Sequence, residues 1–179
     1  DEELVLQSIH GSRDAFGILV LRHSRMVRAI CMARIGSRDI DDSVQEVFLR
    51  AYRGLPKLHD PARFKSYLGQ IARNFCIDRL RTGPKGGMVS LDEVDLEPPD
   101  PRSVTDNDQG LALERLRREV GRLPETQREV LMLFYFHSMS YAEMAEAIGV
   151  TEAAVNQRLS RARQQLRSAF AASGQGEPA

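Results

Sequence analysis

Apolar residues recur along this chain at helical spacing almost throughout, and no alternating stretch of any length suggests a strand. Leu4 to Ile9 reads as a short amphipathic helix, broken at Gly11-Ser12. Asp14 is placed to cap a second helix, whose buried side is Phe16, Leu19, Val20, Val27, Ile30 and Cys31. Gly36-Ser37 ends it. A third helix is predicted from about Ile40 to Arg53, with Val44, Val47, Phe48 and Ala51 on its apolar side. Gly54 to Pro61 reads as a loop, and Phe64, Leu68, Ile71 and Phe75 line a fourth helix running to Arg81.

From Thr82 to Gly110 the pattern lapses. Prolines, glycines and aspartates replace large apolar residues, so this stretch cannot bury enough surface to order itself and is expected to be a flexible linker. Helical periodicity resumes with Leu111, Leu113, Leu116 and Val120 facing inward, until Leu123-Pro124 closes that helix. Glu125 to His137 is a further helix, dense in Leu131, Met132, Leu133, Phe134 and Phe136. The implied fold class is all-α: two small helical domains on a flexible acidic linker. The boundaries are 1–81, 82–110 and 111–172, with 173–179 a disordered tail.

Ser140 to Arg167 has the sharpest local signals. Ser140 and Glu143 form an S-x-x-E capping box. Met144, Ala145 and Ile148 make a short apolar face, Gly149 supplies a left-handed stop, and Thr151 can cap the next helix. In that helix Val155, Leu159, Ala162, Leu166 and Phe170 form one long core stripe. A short helix, a glycine turn and a longer helix is the helix-turn-helix pattern. At about 100° per residue, Ala153, Gln157, Ser160 and Gln164 point away from the stripe, flanked by Asn156 and Arg161. Small, amide and guanidinium side chains are the types that read base edges and hold phosphates in a major groove. The plainer alternative is the solvated face of an ordinary helical hairpin.

Charge sharpens the division. The chain has 25 basic and 25 acidic residues. The segment 1–81 is net +4, 82–110 is net −5 and 111–172 is net +2. Two mildly basic blocks flank an acidic strip, which could mimic nucleic acid in a positive channel but more plainly keeps a tether soluble. No apolar run approaches the roughly 18 residues of a membrane span, and no secretory signal is visible. Cys31 and Cys76 stand isolated among apolar residues and read as reduced core thiols in a cytoplasmic protein. Neither they nor the four histidines have metal-ligand spacing, and no cofactor motif is present.

The fourth helix carries a second candidate surface. Tyr67, Gln70, Asn74 and Arg81 share one flank, with Arg73 adjacent. An aromatic, two amides and two arginines suit melted DNA, through stacking, base-edge bonds and backbone contacts. A solvated face with Tyr67 half-buried explains the same spacing.

With these residues in view, DDSVQEVFLRAYRGL (Asp41 to Leu55) and FKSYLGQIARNFCIDRLR (Phe64 to Arg81) resemble region 2 of bacterial sigma factors. Leu123 to Arg167 resembles their region 4. With these two regions and a short linker, the chain is similar to the extracytoplasmic-function (ECF) group. The resemblance implies that the third helix docks on the clamp of core RNA polymerase through Asp42, Gln45, Glu46, Leu49, Arg50 and Arg53, although Glu46 and Arg50 are also spaced to pair with each other. It implies that the fourth helix recognises and melts the −10 element, with Asn74 at a base and Lys65, Arg73 and Arg81 near phosphates. Asp78 is expected to be structural, paired with an arginine. Region 4 of the family reads the −35 element and docks on the polymerase flap. Arg158, Arg161 and Arg163 would then hold phosphates while Gln157 and Ser160 approach bases, beside Ala153 and Asn156. An anti-sigma partner is implied too.

This sequence departs from the family in places. Tyr67 stands where the family often has Trp, which puts its melting role in doubt. Ala154-Val155-Asn156-Gln157, with Glu152 nearby, has fewer cations than the usual start of the recognition helix, so phosphate attraction there should be weaker. No separate domain follows Phe170, so sensing by a C-terminal extension is not expected. A stand-alone helix-turn-helix regulator with a sensing or dimerising first domain is the rival reading. A helical enzyme using Asp41, Asp42 and Glu46 is disfavoured, since neighbouring helical residues diverge and no nucleophile or histidine is placed beside them.

Overall fold

The structure is a computed structural model that describes residues 1–37, 39–82, 107–137 and 139–173. Most of the expected linker, and the tail beyond Ser173, lie outside the described residues. Every described regular element is helical: α1 (Glu2–Ile9), α2 (Arg13–Ile35), α3 (Ile40–Gly54), α4 (Phe64–Thr82), α5 (Asn107–Arg122), α6 (Glu125–His137), α7 (Tyr141–Ile148) and α8 (Glu152–Ser173). Short 3-10 turns at Leu55–Lys57 and Pro61–Arg63 shape the segment read as a plain loop, and they bury Leu55.

Three local expectations are corrected. The cap of α2 is Ser12, whose Oγ accepts from the Ala15 amide at 3.2 Å, while Asp14 sits inside the first turn. Both residue types can cap, and only one can occupy the extended position before the helix. Leu111 is 66% exposed rather than inward-facing. Leu113, Leu116 and Val120 keep one helical phase, and Leu111 lies two residues before Leu113, about 200° away on the opposite face. Cys31 and Cys76 are not isolated: both are fully buried, and a hydrogen bond between the two thiols, with burial, pushes the Cys31 thiol well up from its ordinary value. They behave as packed core thiols.

The two helical units pack on each other, α2 against α6 and α4 against α7. One buried cluster runs through both. Leu19, Val27, Ile30, Phe64 and Leu68 come from the first unit, and Val130, Leu133, Met144, Ile148 and Leu159 from the second. Charge also crosses this boundary. Arg34, on α2, pairs with Glu125 and with Glu129 on α6, the latter at 3.2 Å with only 1% of its side chain exposed. Arg128 donates back to the Ala33 carbonyl and, at 2.8 Å, to Gly121 O in its own unit. Burial pulls its guanidinium down from the ordinary arginine value, and two carbonyl acceptors offset that cost.

Candidate nucleic-acid interface

The helix-turn-helix forms as its sequence dictates. Ser140 Oγ accepts from the Glu143 amide at 3.2 Å, and Glu143 Oε2 accepts from the Ser140 amide at 2.8 Å, completing the capping box. That amide, donating to the carboxylate, holds the pKa of Glu143 below its ordinary value. Gly149 takes φ 65°, ψ 43°, a left-handed conformation a side chain would strain. The Val150 amide closes the turn on Ala145 O at 3.0 Å. Thr151 Oγ1 accepts from the Ala154 amide at 3.2 Å and starts α8. Val155, Leu159 and Ala162 are fully buried, which fixes the rotation of α8.

The opposite face of α8 is therefore open. Ala153, Asn156, Gln157, Ser160 and Arg161 are all exposed, and Arg158 is half-buried at their edge. Arg163 is occupied. Its guanidinium lies 5.1 Å from the Phe134 ring centre and 5.5 Å from that of Tyr135, and its Nε donates to the Tyr135 hydroxyl at 3.1 Å. That geometry anchors α8 to α6 through cation–π contact. The sequence counts Arg163 among four arginines and cannot show that an aromatic pair on α6 receives it.

On α4 the predicted residues divide into two sets. Gln70, Asn74 and Arg81 are exposed on one stripe. Ile77, 45% exposed, falls in the same phase, seven residues after Gln70, so an apolar residue sits between the amides and Arg81. It escaped the sequence reading because an isolated apolar residue near a helix end carries no signal. The second set is engaged. Tyr67 is half-buried, with its hydroxyl donating to Ala51 O at 3.0 Å and its ring 6.4 Å from that of Phe64. Burial raises its hydroxyl above the ordinary value. Lys65 Nζ lies 3.8 Å from both Glu143 and Glu146 of α7. Arg73 donates to the Ile148 carbonyl, and burial pulls its guanidinium down from the usual range.

The α3 face presents Asp42, Gln45, Leu49 and Arg53 outward along one stripe. Arg50 is held beside it by Glu46 at 3.0 Å and Asp78 at 3.2 Å, and it covers the Phe75 ring at 5.0 Å. The bond to Glu46 raises its guanidinium further above the usual value. Asp78 thus pairs with an arginine, as expected. Gln45 and Leu49 also stand on the rim of an open, apolar groove of about 440 Å³ between α2 and α3, lined by Phe16, Val20, Val44 and Tyr52. Among the described residues no cluster of three potential metal ligands occurs.

Known proteins share this arrangement. Residues 19–84 match the family model for Sigma-70 region 2, and residues 113–166 match that for Sigma-70, region 4. The chain is 32% identical over 169 residues to the ECF RNA polymerase sigma factor SigM of Mycobacterium tuberculosis, covering 93% of this chain and 82% of that one. It is 29% identical over 175 residues to the ECF RNA polymerase sigma-E factor of Escherichia coli, covering 93% and 92%. A probable RNA polymerase sigma factor of Xanthomonas campestris, RfaY, is 36% identical over 167 residues, but the chain spans only 41% of its length. Among solved structures, that of CnrH in complex with the cytosolic domain of CnrY superposes with a TM-score of 0.68 at 30% identity, covering 96% of this chain and 97% of that chain.

Proposed function

The chain belongs to the ECF RNA polymerase sigma factors, and from that premise we propose that it binds core RNA polymerase and directs it to promoters through two separate reading heads. The first unit, 1–81, takes the polymerase and the −10 element, and the second, 111–172, the −35 element. The observation that carries this division is the pair of outward helix faces. Each combines amides with arginine, and each sits on the unit that matches the corresponding family region.

On α8, Gln157, Asn156 and Ser160 reach base edges from the major groove while Ala153 allows close approach, and Arg158 and Arg161 hold phosphates. Arg163 contributes by holding α8 against α6. On α4, Asn74 and Gln70 contact unpaired bases and Arg81 the backbone, with Lys65 and Arg73, beside α7, as further phosphate contacts. Tyr67 supports the helix from below. On α3, Asp42, Gln45, Leu49 and Arg53 form the docking stripe for polymerase, and the Glu46–Arg50–Asp78 chain stiffens it. The factor acts by binding, with no cofactor and no chemical step of its own.

No described helix is long and apolar enough to cross a membrane, and we place the factor with its polymerase in the cytoplasm. CnrH was solved with the cytosolic domain of CnrY, and an anti-sigma protein is the expected regulator of this chain. The test is run-off transcription: the chain is added to purified core polymerase on fragmented genomic DNA. Discrete transcripts from a subset of fragments are expected. Failure to bind core polymerase overturns the proposal and favours a stand-alone regulator.

A further inference from the structure

Ile77 contributes little to the core of its unit. It is 45% exposed, while the buried side of α4 is taken by Phe64, Leu68, Ala72, Phe75 and Cys76. A β-branched residue is also slightly disfavoured at an exposed helical position, so neither packing nor helix propensity accounts for it. Its place on the helix is more informative. At about 100° per residue, Asn74, Ile77 and Arg81 fall within roughly 60° of arc, and all three are exposed. Ile77 is three residues from Asn74 and four from Arg81, so the Cβ atoms of each neighbouring pair are about 5–6 Å apart. An amide, an apolar surface and a guanidinium therefore stand in one short row. The charges that border it are engaged elsewhere. Arg73 donates to the Ile148 carbonyl, Asp78 pairs with Arg50 at 3.2 Å, and Arg79 pairs with Asp39 at 2.9 Å.

This row has the chemistry to read one pyrimidine. An asparagine amide offers one donating and one accepting end. Thymine presents a carbonyl acceptor beside a ring N–H donor, and cytosine an amino donor beside a ring nitrogen acceptor. An amide turned by half a revolution satisfies either base, so Asn74 alone cannot separate them. The difference it misses is the 5-methyl group, which only thymine carries, next to that carbonyl on the ring. We propose that Ile77 is a specificity-determining residue for an unpaired thymine in the −10 element. Its side chain packs on the 5-methyl group, while Asn74 bonds the edge of the same base and Arg81 holds the adjacent phosphate. The inference rests on the reading of α4 as a DNA-contacting face. Thymine is selected over cytosine because its methyl group leaves water against Ile77. The strongly preferred rotamer of a β-branched residue in a helix keeps that surface fixed. Leu80, 41% exposed and about 60° beyond Ile77 around the helix, lies off the row and does not touch the base.

Base analogues test this, because they change the methyl group and leave the hydrogen-bonding edge intact. A promoter recovered by run-off transcription with the wild-type chain is synthesised with thymidine, deoxyuridine, deoxycytidine or 5-methyldeoxycytidine at one −10 position of the non-template strand at a time. Open-complex affinity is measured for the holoenzyme, the full chain on core polymerase. With the wild-type chain, one position is expected at which thymidine binds better than deoxyuridine, and 5-methyldeoxycytidine better than deoxycytidine, each by about fourfold, the size expected for burying one methyl group. Ile77→Ala should abolish the difference within each pair, Ile77→Val should keep it, and Leu80→Ala should leave it as in the wild type. Asn74→Ala should relax base preference at that same position, and relaxation at a different one overturns the proposal. Thermal unfolding midpoints of the Ile77 variants should match that of the wild type. A lowered midpoint with methyl discrimination intact gives Ile77 a structural role and overturns the proposal. Indifference of the wild-type chain to the methyl group at every position, with Asn74→Ala still relaxing one of them, overturns the role of Ile77 alone. No effect of Asn74→Ala, Ile77→Ala or Arg81→Ala at any −10 base overturns the inference together with the assignment of this α4 face to DNA.

Discussion

α4 and α8 carry nearly the same side-chain vocabulary, amides and arginines on one helix face, yet one face is open and the other half-occupied. The difference lies in what each helix buries. α8 turns Val155, Leu159 and Ala162 into its own unit and has no glycine on its outer side for a neighbour's backbone to approach. α4 buries Leu68, Ala72 and Cys76 in its unit, but Gly69 is buried too, beneath the second unit. Surface composition sets what a helix can bind, and the smallest residue on that surface decides whether another helix reaches it first.

The largest effect that separates the two heads is expected from Leu159→Ala. Leu159 is fully buried, and truncation should cost about 2–5 kcal/mol in chemical denaturation and remove −35 binding through loss of α8. A loss below about 1 kcal/mol would mean the second unit can collapse around the gap, and the fixed rotation of α8 would need another cause. A pH effect comes next, centred on His23 of the first unit. His23 is held down to about pKa 4 by burial, with Lys65 and Arg22 adding to it and Glu146 opposing, while its neutral ring donates to Asp1 at 2.8 Å. The unfolded chain takes up this proton near pH 6.5, before the folded one does. Stability from this site is therefore complete above about 6.5 and is lost as pH falls toward 4, by at most about 3 kcal/mol. Histidine chemical shifts followed by NMR check it, and a titration midpoint near the ordinary value would contradict it. The smallest effect is expected from Tyr67→Phe. It removes the bond to Ala51 O and should cost about 1 kcal/mol, leaving promoter melting intact because the ring stays. Impaired melting at unchanged stability would return Tyr67 to the DNA.

The division between what the sequence discloses and what it hides tracks the range of the interactions. Ser140, Glu143, Gly149 and Thr151 act within a few residues of themselves, so the helix-turn-helix is legible from spacing alone, as is the core stripe of α8. The exposed face of α8 comes from periodicity in the same way, whereas the outward residues of α3 follow from the family resemblance. Hidden are the contacts between units. Arg34 and Glu129 are 95 residues apart and look like two surface charges, yet they are buried together. Lys65 and Arg73 look like free cations, and nothing local foretells that the end of α7 receives them. Gly69 gives no signal in the helical pattern, and its absent side chain is what the packing uses. The family resemblance supplies the roles but not this closed arrangement of the described residues.

Two heads that read two different elements must be separable by mutation. Genomic fragments transcribed by core polymerase with the wild-type chain, Asn74→Ala and Gln157→Ala are recovered and aligned. Each substitution should relax base preference by about 1–3 kcal/mol at its own element, −10 for Asn74 and −35 for Gln157, and leave the other unchanged. Uniform loss across all promoters from both substitutions would contradict the division into two heads and leave both residues with structural roles only.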